Sequence, residues 1–148
     1  MNSPQSRPTL DQLRARHAWQ KISAIVSADK NRNGSAREYG RHVKRLPARI
    51  LTSGLGPTLS FLAAKADRDK PSPEKRLLEH LTDWIANGRK LSCADPSSLL
   101  NSIVQGDVDF LRLATDEVMA YARWLVRFAD AEGLTKDEPD AGAERKDH

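Results

Sequence analysis

The chain has 148 residues, 39% hydrophobic and 30% charged, with a formal net charge of +4 and a pI near 9.4, which suits one domain with a real hydrophobic core. Cys93 is the only cysteine, so a disulfide scaffold is excluded, and no Cys or His stands near it at zinc-ligand spacing. No apolar run reaches the roughly 20 residues of a membrane span and the first thirty residues hold no signal-peptide core, which points to the cytoplasm.

In chain order, residues 1–8 are polar and proline-containing and read as a disordered lead. Thr9 with Gln12 three residues later is a capping box, opening a helix to about Ser27 whose apolar stripe is Ala15, Ala18, Trp19, Ile22, Ile25 and Val26. A polar loop follows, and Ser35 with Glu38 makes a second capping box. That helix carries Tyr39, Val43, Leu46 and Ile50 on one face, with a kink or break expected at Pro47. Gly54-Leu55-Gly56-Pro57 ends it and starts another helix from about Pro57 to Ala66, with Leu59, Phe61, Leu62 and Ala66 as its core.

Ser72-Pro73 and Asp95-Pro96 are N-cap and first-turn proline pairs for two further helices. The first carries Leu77, Leu78, Leu81, Trp84 and Ile85 and ends at Asn87-Gly88; the second runs through Leu99, Leu100, Ile103 and Val104 to Gly106. Residues 108–131 are helical with an expected boundary near Thr115, a core stripe of Val118, Tyr121, Ala122, Leu125, Phe128 and Ala129, and a stop at Gly133. Residues 134–148 are acidic and poor in apolar side chains, so they read as a disordered tail. No segment alternates with period 2 and no repeat of fixed period is present. The expectation is all-α: one domain over residues 9–133, a compact bundle of about six or seven helices with disordered polar termini.

Catalytic constellations are absent from the pattern, so the chain does not read as an enzyme. His17, His42 and His80 fall on separate helices and read as surface or cap-like, and Cys93 has no base nearby. Gly54-Leu55-Gly56 lacks the ending of a phosphate loop and is explained by helix punctuation. Asp107, Asp109, Asp116 and Glu117 can be read as a carboxylate metal site, but two of them more simply supply negative charge at helix starts. No metal and no cofactor is expected.

Charge is distributed unevenly. Lys and Arg number 11 against 3 carboxylates over residues 1–49, 10 against 10 over residues 50–128, and 3 against 7 over residues 129–148. A basic first third suggests a surface for a polyanion, nucleic acid first, with an ordinary solvated face as the plain alternative. At about 100° per residue, Arg37, Arg41, Lys44, Arg45 and Arg49 share the side of the second helix opposite its core. A continuous helix would spread them over roughly 18 Å, enough to follow several phosphates. Arg14, Arg16 and Lys21 on the first helix, and Arg123 and Arg127 on the last, would widen the patch. Such cations contact phosphates and not base edges, so binding would be salt-dependent and weakly sequence-selective.

The stretch from Leu46-Pro47 through Ile50, Gly54-Leu55 and Leu59-Ser60-Phe61 to Lys65 resembles the most recognisable segment of the small helical subunit of type III-B CRISPR effector complexes. Ser53 stands where that pattern has Asn. A second similar segment is Tyr121-Ala122-Arg123-Trp124-Leu125-Val126-Arg127-Phe128-Ala129, which resembles the family's final helix. The resemblance implies a non-catalytic protein present in several copies along a filament in which guide RNA pairs with target RNA. Its implied partners are the other subunits of the complex, further copies of itself, and the two RNAs. Two alternatives stay open: a helical module docking an acidic protein, and the small subunit of a type III-A complex. An enzyme using Cys93 or the Asp107 and Asp109 pair has no supporting constellation.

Overall fold

The computed structural model describes residues 6–29, 34–66, 71–91 and 99–136. Among them are six α-helices and no strand: α1 (Leu10–Ala28), α2 (Ser35–Ser53), α3 (Leu55–Lys65), α4 (Pro73–Asp83), α5 (Leu99–Gln105) and α6 (Val108–Ala131). No described helix is long and apolar enough to cross a membrane. Three starts follow the rule that a side chain takes over an orphan backbone N–H. Thr9 accepts from the Gln12 N–H at 3.0 Å while the Gln12 side chain accepts from the Thr9 N–H at 2.8 Å. Ser72 caps α4 through the Lys75 N–H, and Asp107 caps α6 through the Phe110 N–H at 2.8 Å. Asp107 is therefore a cap and not part of a cation site.

Elsewhere the boundaries depart from the expected ones. The Ser35 and Glu38 box does not form, because α2 begins one residue early: the Gly34 carbonyl accepts from the Glu38 N–H at 3.0 Å and Ser35 is already inside the helix. Likewise α2 stays helical through Pro47. The proline costs about 3 kcal/mol in an isolated helix, but Val43, Leu46 and Ile50 are buried on both sides of it and hold the backbone in place. Gly54, at φ 92°, closes α2 through its N–H to the Ile50 carbonyl and accepts from Thr58 of α3, so the two helices share one residue as cap and α3 starts at Leu55. Beyond Asp83 the chain continues as one π-helical turn, Trp84–Gly88, before ending near the expected glycine. No boundary interrupts α6 at Thr115. The Asp95-Pro96 start and Cys93 lie outside the described residues, as do residues 1–5 and the tail from 137 onward.

Packing follows from the apolar faces. α6 packs against α1 on one side and α2 on the other, α2 packs in turn on α4 and α3, and α5 covers α3. Along α1, Asp11 meets Trp124, Arg14 meets Glu117, His17 meets Tyr121 and Trp19 meets Phe128 of α6. Ala18, Ile22 and Ile25 of α1 are buried, whereas Trp19 is 46% exposed, so the α1 core stripe is narrower than its apolar residues suggest. Val104, expected in the core, is exposed as well.

The C-terminus corrects a second expectation. Gly133, at φ 74°, lets its own N–H reach the Asp130 carbonyl and the Leu134 N–H reach the Ala129 carbonyl at 2.9 Å, a Schellman stop. Leu134 is thereby turned inward and buried, and Thr135 is buried beside it with its hydroxyl on Asp130. The ordered chain thus extends past residue 133, because the stop itself creates an apolar contact. That contact is on Gly40 of α2, where an added Cβ would collide with the Leu134 carbonyl oxygen and Cβ.

His17, His42 and His80 are half-buried and engaged by other side chains, not loose on the surface. Asp83 is held below its ordinary range; burial opposes this, but hydrogen bonds from Asn87 and His17 and the charge of Lys21 prevail. Ionised Asp83 takes the His17 Nε2–H at 2.6 Å, which leaves Nδ1 to accept the Tyr121 hydroxyl at 2.5 Å. His80 Nδ1 shares a 2.7 Å hydrogen bond with the Tyr39 hydroxyl, and burial pushes its pKa down to about 3, with Lys21 and His17 nearby acting the same way.

Both the glycine contact and the buried histidine can be tested by unfolding. Gly40→Ala should lower stability by about 1–3 kcal/mol through overpacking against Leu134, read as a lower urea midpoint. Because the folded chain keeps His80 neutral, its contribution to stability is complete above pH 6.5 and is lost progressively as pH falls toward 3. Urea titrations should show about 1–2 kcal/mol less stability at pH 5 than at pH 7, and His80→Gln should flatten that slope.

Candidate nucleic-acid interface

Helix α2 turns its core side inward with Ala36, Tyr39, Gly40, Val43, Leu46 and Ile50 all buried. A 3.6-residue period then forces Arg37, Arg41, Lys44, Arg45 and Arg49 toward the outside. Lys44 and Arg45 are exposed; Arg37, Arg41 and Arg49 are half-buried. Glu38 is the one carboxylate on the helix. The row is not loose along its whole length. The Arg49 guanidinium lies 4.1 Å over the Phe61 ring of α3, a cation–π contact that stiffens one end. Beside it, His42 Nε2 is 3.2 Å from Glu74 of α4. Burial lowers the His42 pKa against the pull of Glu74, and Arg49 and Arg45 lower it further.

The remaining expected cations divide into two groups. Arg16 on α1 and Arg123 and Arg127 on α6 are exposed. They border an aromatic cluster that sequence reasoning passed over: Trp19 packs edge-on to Phe128 at 5.1 Å, and Trp124 stacks on Phe128 at 5.6 Å. The i, i+4 spacing of Trp124 and Phe128 was the available signal. Lys21 is half-buried and sits 3.6 Å from Asp83, so it faces α4 and not an open cationic surface. That side holds a groove of about 830 Å³ lined in part by Lys21, Lys75, Leu78, His80, Asp83 and Leu100. Its His80 and Asp83 are committed to Tyr39 and His17.

Arg14, also expected to widen the patch, is withdrawn from it. Its guanidinium forks onto the buried Glu117 carboxylate, Nε to Oε2 at 2.6 Å and Nη2 to Oε1 at 2.9 Å. Arg89 adds a hydrogen bond at 3.0 Å and the Trp84 indole N–H another at 2.9 Å. Burial alone would raise the Glu117 pKa, but these donors hold it below the ordinary range. This arrangement replaces the carboxylate metal reading, and among the described residues no group of three or more His, Cys, Asp or Glu could hold an ion.

Residues 10–132 match the family described as CRISPR-associated protein (Cas_Cmr5). The chain belongs to the Cmr5 family. It is thus a small subunit of a type III-B Cmr effector complex, which decides between the two CRISPR readings the sequence left open. A crystal structure of a CRISPR-associated Cmr5 family protein from Thermus thermophilus has a TM-score of 0.66 to this chain at 24% identity. It covers 88% of this chain and is itself covered completely, a likeness of fold. Within this Cmr5 chain, Leu46 to Lys65 is the α2–α3 junction, where Arg49 meets Phe61, and Tyr121 to Ala129 lies in the second half of α6, where Tyr121 meets His17 and Phe128 meets Trp19 of α1.

Removing the carboxylate while keeping its shape should expose what it neutralises. Glu117→Gln leaves Arg14 and Arg89 short of a countercharge and should cost about 2–3 kcal/mol. The expected readout is an earlier thermal transition, with an unchanged helical circular dichroism spectrum at low temperature.

Proposed function

We propose that this Cmr5 subunit is a non-catalytic scaffold that contacts the RNA backbone of the guide–target duplex or the target strand, with further copies of itself along the filament. The observation that carries the reading is the outer side of α2: five cations spread over about four turns against one carboxylate, on a helix whose other face is anchored to three neighbours. A row of that length suits successive phosphates, and such contacts position a strand without reading its sequence. The absence of a catalytic role is supported by the commitments of His17, His42 and His80, each engaged by a tyrosine or a carboxylate. Chemistry would then belong to other subunits.

Lys44→Glu with Arg45→Glu changes two exposed side chains, so the fold should persist. In the reconstituted complex, target RNA capture should weaken by about tenfold or more, and the dependence of affinity on salt should become shallower. Unchanged RNA capture by a correctly assembled double variant would overturn the role of the row. Loss of assembly with normal RNA affinity would favour the docking of an acidic protein.

A further inference from the structure

The row on α2 leaves unused the second cationic group, and that group has a different chemical character. Trp19 is 46% exposed, next to the buried Ala18 on a helix that also buries Ile22 and Ile25. It is not a loose side chain. Phe128 abuts it at 5.1 Å with an interplanar angle of 68°, and Phe128 is itself backed by Trp124 at 28°. Trp124 is pinned in turn by its indole N–H to Asp11 at 2.9 Å. An indole braced from behind with nearly half its surface in water is a preformed flat surface and costs little entropy to use.

Charge surrounds this surface. Arg16 lies one turn before Trp19, Arg127 lies one turn after Trp124 and next to Phe128, and both are exposed. Arg123 acts on the carboxyl of Asp11, which places it on the Trp124 side of the cluster. The acid at this edge, Asp11, is already engaged by Trp124 and by Arg14 at 3.2 Å. Three guanidinium groups around an open aromatic face match a ligand with a π face and an anionic backbone. A protein surface covering the same edge would have to desolvate or pair each arginine, whereas a polynucleotide brings a phosphate for each.

We infer that the α1–α6 edge is a stacking platform for unpaired RNA bases, with Trp19 as the stacking group and Arg16, Arg123 and Arg127 holding the adjoining phosphates. The inference rests on the RNA-contacting role proposed above and adds a substrate form to it. α2 takes backbone whether the strand is paired or single, while the α1–α6 edge takes single strand only, because paired bases have no free face.

The test is intrinsic fluorescence of the full chain titrated with a short mixed-sequence RNA, single-stranded and as a duplex with its complement. Single strand should quench the emission, and Trp19→Leu should weaken single-strand binding by about tenfold, the scale of one lost stacked base, while duplex affinity stays unchanged. Leucine keeps the apolar contact with Phe128, so a folding defect is avoided and circular dichroism checks it. The Lys44→Glu, Arg45→Glu variant should weaken both forms equally. If Trp19→Leu leaves single-strand affinity intact while the α2 variant lowers it, the platform is overturned and the α2 role survives. If the wild-type chain binds neither form at low salt, both are overturned. If Trp19→Leu binds RNA normally but no longer enters the complex, the edge is a protein contact and the platform is likewise overturned.

Discussion

A buried carboxylate organises one end of this bundle. Placing Glu117 among Val118, Tyr121 and the α1 helix would be prohibitive for a lone charge, and the fold answers with four N–H donors from three residues. Arg14 comes from α1, Trp84 and Arg89 from either end of the π-helical turn. That turn has a function in this light: widening the last turn after α4 lets Trp84 face inward and stack on Tyr121 at 5.3 Å while Arg89 still reaches the same carboxylate. The ion pair and the aromatic stack are therefore one unit, and α1, α4 and α6 are located relative to one another by it.

The same geometry decides which cations are available to a ligand. Arg14, Arg89 and Lys21 are drawn toward Glu117 and Asp83. Of the exposed cations among the described residues, Lys44 and Arg45 lie on the back of α2 and Arg16, Arg123 and Arg127 on the α1–α6 edge. Helix α2 tolerates an almost uninterrupted cationic side because its opposite side is held by α3, α4 and α6 together, so burial opposes repulsion along the row. Neutral His42 under Arg45 and Arg49 keeps the repulsion from growing.

Much of this was legible in the sequence, for reasons that can be named. Capping boxes and proline starts are local codes, and Thr9 with Gln12 and Ser72 with Pro73 read correctly because no distant partner is involved. The outward row on α2 was legible because a strong amphipathic period needs no tertiary information. Of the kink or break expected at Pro47, the break does not occur, because the packing on either side of the proline outweighs its intrinsic propensity. The Glu117 site was illegible in principle: its partners lie 28, 33 and 103 residues away, and nothing local marks a carboxylate as buried. Leu134 was assigned to a tail because its composition is a tail's, while its conformation is set by Gly133 and its contact by Gly40.

The pairing of the first and last helices has a consequence for how the chain is made. Since α1 rests on α6 and α2 is closed by Leu134, neither of the first two helices can finish burying its apolar side until the final helix has left the ribosome. Synthesis thus proceeds with two amphipathic helices lacking their permanent neighbours, and the core forms in one late, non-local step, a topology that slows folding relative to a bundle of sequential hairpins.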